Sequence, residues 1–339
     1  MTKLYFIIFN EDARGIIKGI NRKYSFLEMP VWGGIRIRDA FDFPFKLLGL
    51  EDYTFVDYKN IGNLLDDLIK GEERELFVLR SSNIVWPDYK ELIKTVGKGK
   101  YRGEIIKFNV NNTPADFYHV PREDLISILQ KVIKNNDGII SVFNDFLFNG
   151  FQKISYLNGY NFLMRNSYEF YHENLMFIHR INNRRFTLIL NSIPYPQITE
   201  AHICDGAAVV SSYVGSGSKI SGEVKHSVIF YDVEIGRDAK IINSVIMPGN
   251  IIEDGAIIEN TLMLGSRQRV IGSGSVIGVI KKDTADFSGT NSKICTLIGE
   301  DIGIPRGSRI GFGCEVYGRG VPANPIVLDD GEKLVFDLD

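Results

Sequence analysis

Ile298-Gly-Glu-Asp-Ile-Gly, Ile304-Pro-Arg-Gly-Ser-Arg, Ile310-Gly-Phe-Gly-Cys-Glu, Val316: four aliphatic residues, each six positions after the last, decide how the second half of this chain folds. A helix repeats about every 3.6 residues and a strand every two, so neither gives this period. A six-residue repeat is the mark of a β-solenoid, in which a short flat strand contributes one inward aliphatic before the chain turns a corner. A second run is Ile252, Ile258, Leu264 and Val270, and a third is Ile235 and Ile241, with Ile203 and Val214 upstream. Glycine often follows the aliphatic, as at Gly215, Gly236, Gly272, Gly278, Gly299 and Gly311, and is read here as supplying the positive φ of a corner. An antiparallel β domain would show two-residue alternation and Asn-Gly hairpin signals instead. The period breaks over 280–297, which predicts a loop thrown out between coils.

Working outward, the N-terminal half reads as α/β. Leu4–Asn10 is a continuous apolar run, the pattern of a buried parallel strand, and reads as a strand rather than a signal peptide. Tyr53–Val56, Leu76–Leu79 and Ile105–Val110 are further strands. Ile61–Ile69, Tyr89–Thr95, Glu123–Lys134 and Ser167–Arg180 carry helical spacing. Alternating strands and helices predict a mainly parallel sheet. Ile193-Pro-Tyr-Pro-Gln, with two prolines in three residues, marks the joint. The expected domains are therefore 1–192, α/β, and 193–339, the solenoid.

The 339 residues are 44% hydrophobic with a formal net charge of −3. That balance gives no basic excess for nucleic acid, and no apolar run is long enough to span a membrane. Three widely spaced cysteines, Cys204, Cys295 and Cys314, form neither a metal pattern nor a disulfide framework, which fits a cytoplasmic protein.

An α/β half followed by a six-period solenoid resembles the glucose-1-phosphate adenylyltransferases of bacterial glycogen synthesis. Four stretches carry the resemblance. Pro30-Val-Trp-Gly-Gly-Ile-Arg-Ile-Arg-Asp39 is similar to the family's Pro-Ala-Val-x-Phe-Gly-Gly-x-x-Arg-x-x-Asp-Phe, though shorter. Phe77-Val-Leu-Arg-Ser-Ser-Asn-Ile-Val85 is similar to the strand ending in Gly-Asp-His-Ile, and Gly159-Tyr-Asn-Phe-Leu-Met-Arg-Asn-Ser167 to Gly-Tyr-Trp-x-Asp-x-Gly-Thr. Gly222-Glu-Val-Lys-His-Ser-Val-Ile-Phe and Ile242-Asn-Ser-Val-Ile-Met-Pro248 follow the family's solenoid, the most specific match of the four. The implied fold is a truncated nucleotidyltransferase-like, Rossmann-like domain followed by a left-handed parallel β-helix of hexapeptide repeats.

The resemblance also implies a chemistry that this chain lacks the groups to perform. In such enzymes a sugar phosphate attacks the α-phosphate of ATP, helped by a Gly-rich loop, basic side chains and Mg²⁺ on carboxylates. Here the loop position reads Asn10-Glu-Asp-Ala-Arg-Gly-Ile-Ile-Lys-Gly19, with Glu11 and Asp12 set to repel phosphate. Met29 stands where the family has lysine, and Ser82 and Leu163 stand where it has the two metal carboxylates. Without those carboxylates a hard cation has no anchor there. Only about twenty residues separate Asn83 from Glu104, too few for the usual sugar-phosphate loops. Arg165-Asn166-Ser167-Tyr168-Glu169 is similar to the Asn-Ser form of the family's non-catalytic GlgD-type subunit.

These readings predict a chain that is inactive or weakly active alone. It uses no metal and no cofactor of its own, and forms a hetero-oligomer with a catalytic glucose-1-phosphate adenylyltransferase subunit. Gly33, Gly34 and Arg36 are the expected remnant of the nucleotide site. Arg36 and Arg38 could take a sugar-phosphate or nucleotide effector, or could be surface arginines. Two alternatives stay open: a hexapeptide-repeat acyltransferase using His202 or His226 as general base, and a stand-alone sugar-phosphate-binding or assembly module.

Overall fold

A computed structural model describes residues 4–21, 25–47, 52–71, 75–96, 104–135, 153–191, 193, 199–265, 269–280 and 295–337. Most of the loop expected over 280–297, and the two prolines of the expected joint at 193–197, lie outside the described residues. The chain divides into two compact units that interleave in sequence. One contains residues 1–12, 25–29 and 37–165; the other contains 13–24, 30–36 and 166–339. This differs from the chain-order cut at 192, because two short N-terminal segments and the helix Ser167–Arg180 group with the solenoid.

The first unit is built on a six-stranded sheet in the order Tyr53–Val56, Leu4–Phe9, Glu75–Arg80, Thr113–Val120, Ile106–Val110, Lys153–Leu157. Leu4–Phe9 pairs in parallel with both of its neighbours. Thr113–Val120 runs antiparallel to the strand on each side and is the one reversed strand of a sheet that is otherwise parallel, as expected. The antiparallel hairpin was hidden because Asn111-Asn112, both at positive φ, replace the more obvious Asn-Gly turn. One face of the sheet packs aliphatics against the helices Ile61–Lys70 and Arg122–Asn135: Ile7, Val78 and Val120 meet Leu64, Leu68, Leu125 and Leu129. The other face is aromatic, with Phe6 stacked on Phe77 at 4.9 Å and Phe108 against Phe117 at 4.8 Å. A helix at Ile37–Leu47, with Pro44 inside it, was not legible because Arg36, Arg38 and Asp39 mask its start. It is tied to the strand Asn83–Pro87 by Trp86 Nε1 donating to Ala40 O at 2.8 Å.

The second unit is a parallel β-helix with three faces. In register, the first face stacks Ile203, Ile220, Ile235, Ile252 and Ile271, and an isolated bridge extends it to Ile304. The second stacks Val209, Val224, Ile241, Ile258, Ile277, Ile310 and Leu328. The third stacks Val214, Ile229, Ile246, Met263, Ile298, Val316 and Leu334. Ile298, Ile304, Ile310 and Val316 are all buried in this one core. Each step from Ile298 to Val316 is six residues, as the sequence predicts.

Two details differ from that expectation. In the second run Met263 stands in the inner stack, not Leu264, and Ile271, not Val270. The step from Ile258 to Met263 is five residues and that from Met263 to Ile271 is eight, and a one-residue slip in a strand moves a side chain to the opposite side. The glycines that follow the inward aliphatic mostly do not have positive φ; Gly278 alone of the six does. They are small because coils approach closely: a Cβ on Gly236 would lie 2.7 Å from Asp254 N, and one on Gly272 2.4 Å from Arg306 N.

The shortened corner has its own chemistry. Ser211, His226, Asn243 and Asn260 occupy it in successive coils, all with φ between 46° and 48°. The next residue supplies a hydroxyl ladder. Ser212 Oγ accepts from Ser227 N at 3.1 Å, Ser227 Oγ from Ser244 N at 3.0 Å, and Ser244 Oγ from Thr261 N at 3.2 Å. Each hydroxyl also donates to the carbonyl two residues before it, as Ser244 does to Ile242 O at 2.8 Å. Ser227, Ser244 and Thr261 are fully buried. Ser244→Ala would therefore leave the Thr261 N–H without its acceptor. The expected loss is about 1–3 kcal/mol, read as a lower denaturant midpoint at unchanged m-value.

Candidate functional site

In the first unit the chain leaves Leu4–Phe9 for a strand on one side, Tyr53–Val56, and next adds Glu75–Arg80 on the other. The gap beyond the carboxyl ends of Leu4–Phe9 and Glu75–Arg80 is thus the point where strand order reverses. Open α/β sheets bind ligands at such a switch point, because the two chains diverge there and leave a crevice lined by backbone N–H groups.

What fills the crevice is a closed polar network. Phe9 and Arg80 are register partners, and Ser81 N donates to Phe9 O at 2.9 Å. Two residues further along each strand come Glu11 and Ser82, brought face to face by that register. Glu11 Oε2 accepts from Ser82 Oγ at 2.6 Å and from Ser82 N at 3.2 Å. Glu11 Oε1 accepts from Arg80 Nε at 3.2 Å and from a second guanidinium nitrogen. Asp116 lies on the other side of the same guanidinium, with Oδ2 3.6 Å from it. Asn83 closes the ring: its Oδ1 accepts from Asp116 N at 2.6 Å, while its Nδ2 donates to Asn161 Oδ1 at 2.6 Å and to Phe162 O at 3.2 Å. The Glu11 side chain is 5% exposed and that of Arg80 17%. Nearby, burial first and the Asp116 charge second push the Tyr118 hydroxyl well above its ordinary pKa.

The two positions that the resemblance marks for metal carboxylates come together here. Leu163 is the register partner of Asn83, and Met164 N donates to Ser82 O at 2.8 Å. Their side chains do not fit a hard cation. Leu163 has no donor oxygen, the Ser82 hydroxyl is spent on Glu11, and the nearest carboxylates, Glu11 and Asp116, are both matched to Arg80. The sequence singled out Ser82 and Leu163 only through the resemblance, as positions without carboxylates. It missed the parts played by Arg80, Asn83 and Asp116, because their only signal is the register of a sheet that pairs distant segments.

Gly33, Gly34 and Arg36 belong to the second unit. Pro30–Val31 pairs antiparallel with Ile35–Arg36, and Trp32, Gly33 and Gly34 turn the corner with φ of 50°, 82° and 146°. The close backbone approach that a doubled glycine predicts is made to two tyrosines of the β-helix. A Cβ on Gly33 would lie 1.9 Å from Tyr213 Cε1, and one on Gly34 3.1 Å from Tyr231 Cδ1. Trp32, Phe177, Phe186 and Tyr213 form one aromatic cluster, with Phe177 edge-on to Tyr213 at 5.1 Å. Asn174 Oδ1 holds the turn by accepting from Trp32 N at 2.8 Å. Arg36 is exposed, while Arg38, in the first unit, pairs with Glu28 at 3.1 Å and lies 4.9 Å over the Phe55 ring.

The segment that stands where the family has its phosphate loop is also spent in part on the β-helix. Asn21 N donates to Glu300 Oε2 at 2.9 Å, and Asn21 Nδ2 donates to Glu300 O at 2.7 Å and Gly318 O at 2.6 Å. Gly19 O accepts from Glu300 N at 2.8 Å. Of the two candidate general bases, His226 is a corner residue, equivalent to Asn243 and Asn260 in the following coils, and His202 is exposed on the first coil.

These features define a two-unit α/β and hexapeptide β-helix protein. Residues 196–298 match the family described as GlmU-like, C-terminal hexapeptide. Over 82 residues the chain is 37% identical to the glucose-1-phosphate adenylyltransferases of Bacillus thuringiensis (strain Al Hakam), Bacillus mycoides (strain KBAB4) and Bacillus anthracis. The match covers 24% of this chain and 21% of each relative, so the chain spans about a fifth of the length of the curated relatives it matches. Among the described residues, no helix is long and apolar enough to cross a membrane.

Gly33→Ala tests the glycine turn directly. The added methyl meets a ring held by Phe177, at a φ that disfavours any Cβ. The expected destabilisation is at least about 2 kcal/mol, measured as a shift in the denaturant midpoint.

Proposed function

We propose that this chain is a non-catalytic, regulatory subunit of a sugar nucleotidyltransferase assembly. In this reading it modulates a catalytic glucose-1-phosphate adenylyltransferase, which makes ADP-glucose and diphosphate from ATP and glucose 1-phosphate for glycogen synthesis. The single observation that carries the reading is the state of the switch point. Its crevice is closed by the chain's own Glu11, and the two positions matched to metal carboxylates hold Ser82 and Leu163. The likeness to adenylyltransferases supports the class of partner. Asn166 supports the GlgD-type comparison only as far as its side chain goes: it caps the helix Ser167–Arg180, accepting from Glu169 N at 2.9 Å.

Catalysis of phosphoryl-group transfer is mostly positioning and charge neutralisation. A chain that has filled its own anion-binding crevice and lost both metal carboxylates has neither. Its β-helix is intact, and solenoids offer flat faces and open ends to neighbours. The reading therefore separates folding residues, which are retained, from reacting ones, which are not.

Two measurements test it. Pyrophosphate release from ATP and glucose 1-phosphate by the purified chain should be negligible. A turnover within the ordinary enzyme range, about 1–10³ s⁻¹, overturns the reading. Co-expression with a catalytic homologue from the same source should give one peak on size exclusion. That complex should show substrate or effector saturation curves displaced by a coupling of about 1–3 kcal/mol. Separate elution with unchanged curves favours the stand-alone binding or assembly module.

A further inference from the structure

We propose that Glu11 is a built-in anion. Its carboxylate occupies an oxyanion site made by the Ser82 N–H, the Ser82 hydroxyl and the Arg80 guanidinium, and keeps phosphate-bearing ligands off the switch point. The inference rests on the proposed function only for the class of ligand excluded.

Three donor groups of different origin converge on one carboxylate. The Ser82 N–H is a backbone group just past the end of Glu75–Arg80, the place where α/β sheets hold ligand anions. The Ser82 hydroxyl donates from the same residue, 2.6 Å from Oε2. The Arg80 guanidinium presents two nitrogens to Oε1. Both nitrogens converge on one oxygen, and a charged guanidinium donor bonds carboxylate and phosphate oxygens alike. The site is nearly closed to water, with Ser82 fully buried. A buried set of donors with its acceptor removed is costly, so the site demands a replacement anion.

Charge makes the replacement specific. Arg80 also faces Asp116, at 3.6 Å. With Glu11 present the three groups sum to −1. With Glu11 replaced by alanine they sum to zero, and a bound monoanion restores −1. Formate, acetate and dihydrogen phosphate each carry that charge and the oxygens the donors need. Glu11 itself is positioned from both ends. Its N–H donates to Ser81 Oγ at 3.1 Å and its carbonyl accepts from Phe26 N at 2.9 Å, so the side chain is aimed by the backbone.

The test uses the full chain, its Glu11→Ala variant, and a second variant in which Arg80→Gln is added. Thermal unfolding is followed while inorganic phosphate or formate is titrated against chloride at constant ionic strength. Glu11→Ala should gain a saturable rise of about 2–4 °C that the natural chain lacks, and Arg80→Gln should remove it. If Glu11→Ala does not fold in chloride, formate present during refolding should restore native near-ultraviolet circular dichroism, and failure of that rescue overturns the proposal. An equal response of the natural chain and Glu11→Ala also overturns it, as does a rise that persists with Arg80→Gln. These outcomes leave the non-catalytic reading to its own assays. Turnover by the natural chain would remove that reading without altering what the anion titrations say about Glu11.

Discussion

The β-helix depends on one constraint: every coil must place its aliphatics directly over those of the coil before. Parallel strands lie about 4.7–4.9 Å apart, so a misplaced side chain or an extra methyl is felt by the next coil at once. The three in-register stacks meet that constraint with isoleucine and valine, one methionine, Met263, and leucines at the last coil, Leu328 and Leu334. The corners meet it differently. Gly236 and Gly272 leave room for the neighbouring backbone, and the Ser212, Ser227 and Ser244 hydroxyls each accept from the N–H of the next coil where the chain turns through a left-handed residue. The polar ladder and the apolar stack thus repeat on the same spacing, and each keeps the other in register.

The second unit extends beyond its solenoid. The outer side of the third face carries Val228, Val245 and Leu262, all fully buried. The helix Ser167–Arg180 packs on this face, and the Tyr171 hydroxyl donates to Asn243 O at the shortened corner. The turn Val31–Gly34 presses on Tyr213 and Tyr231. Segments that lie far apart in the chain therefore act as covers for one flat apolar surface, which would otherwise be an exposed patch.

The first unit shows how a binding crevice can be closed without altering the sheet that makes it. The parallel pairing of Leu4–Phe9 with Glu75–Arg80 still points two chain ends at a switch point. Glu11 places a carboxylate there, held by Arg80 and Ser82. Asn83 is the register partner of Leu163, and Met164 N donates to Ser82 O, so the backbone brings the two strand ends together whatever side chains they carry. Fold and chemistry separate here because backbone hydrogen bonds set the first and side-chain identity sets the second.

The sequence by itself determined the solenoid and the strands and helices with clear periodicity. Tyr53–Val56 and Ser167–Arg180 have the bounds read from the sequence. It also determined that Ser82 and Leu163 cannot act as carboxylates, since that follows from residue type alone. Only the tertiary structure decided which of Met263 and Leu264 faces inward, because a face is chosen by register and not by hydrophobicity. It alone decided that Thr113–Val120 runs antiparallel and that residues 13–24 and 30–36 group with the β-helix. It also gave Glu11 its partners. The resemblance places Glu11 in the family's phosphate-loop position, where its charge would repel phosphate. Its pairing with Arg80 and Ser82 arises from contacts about seventy residues apart in sequence, which no local pattern encodes.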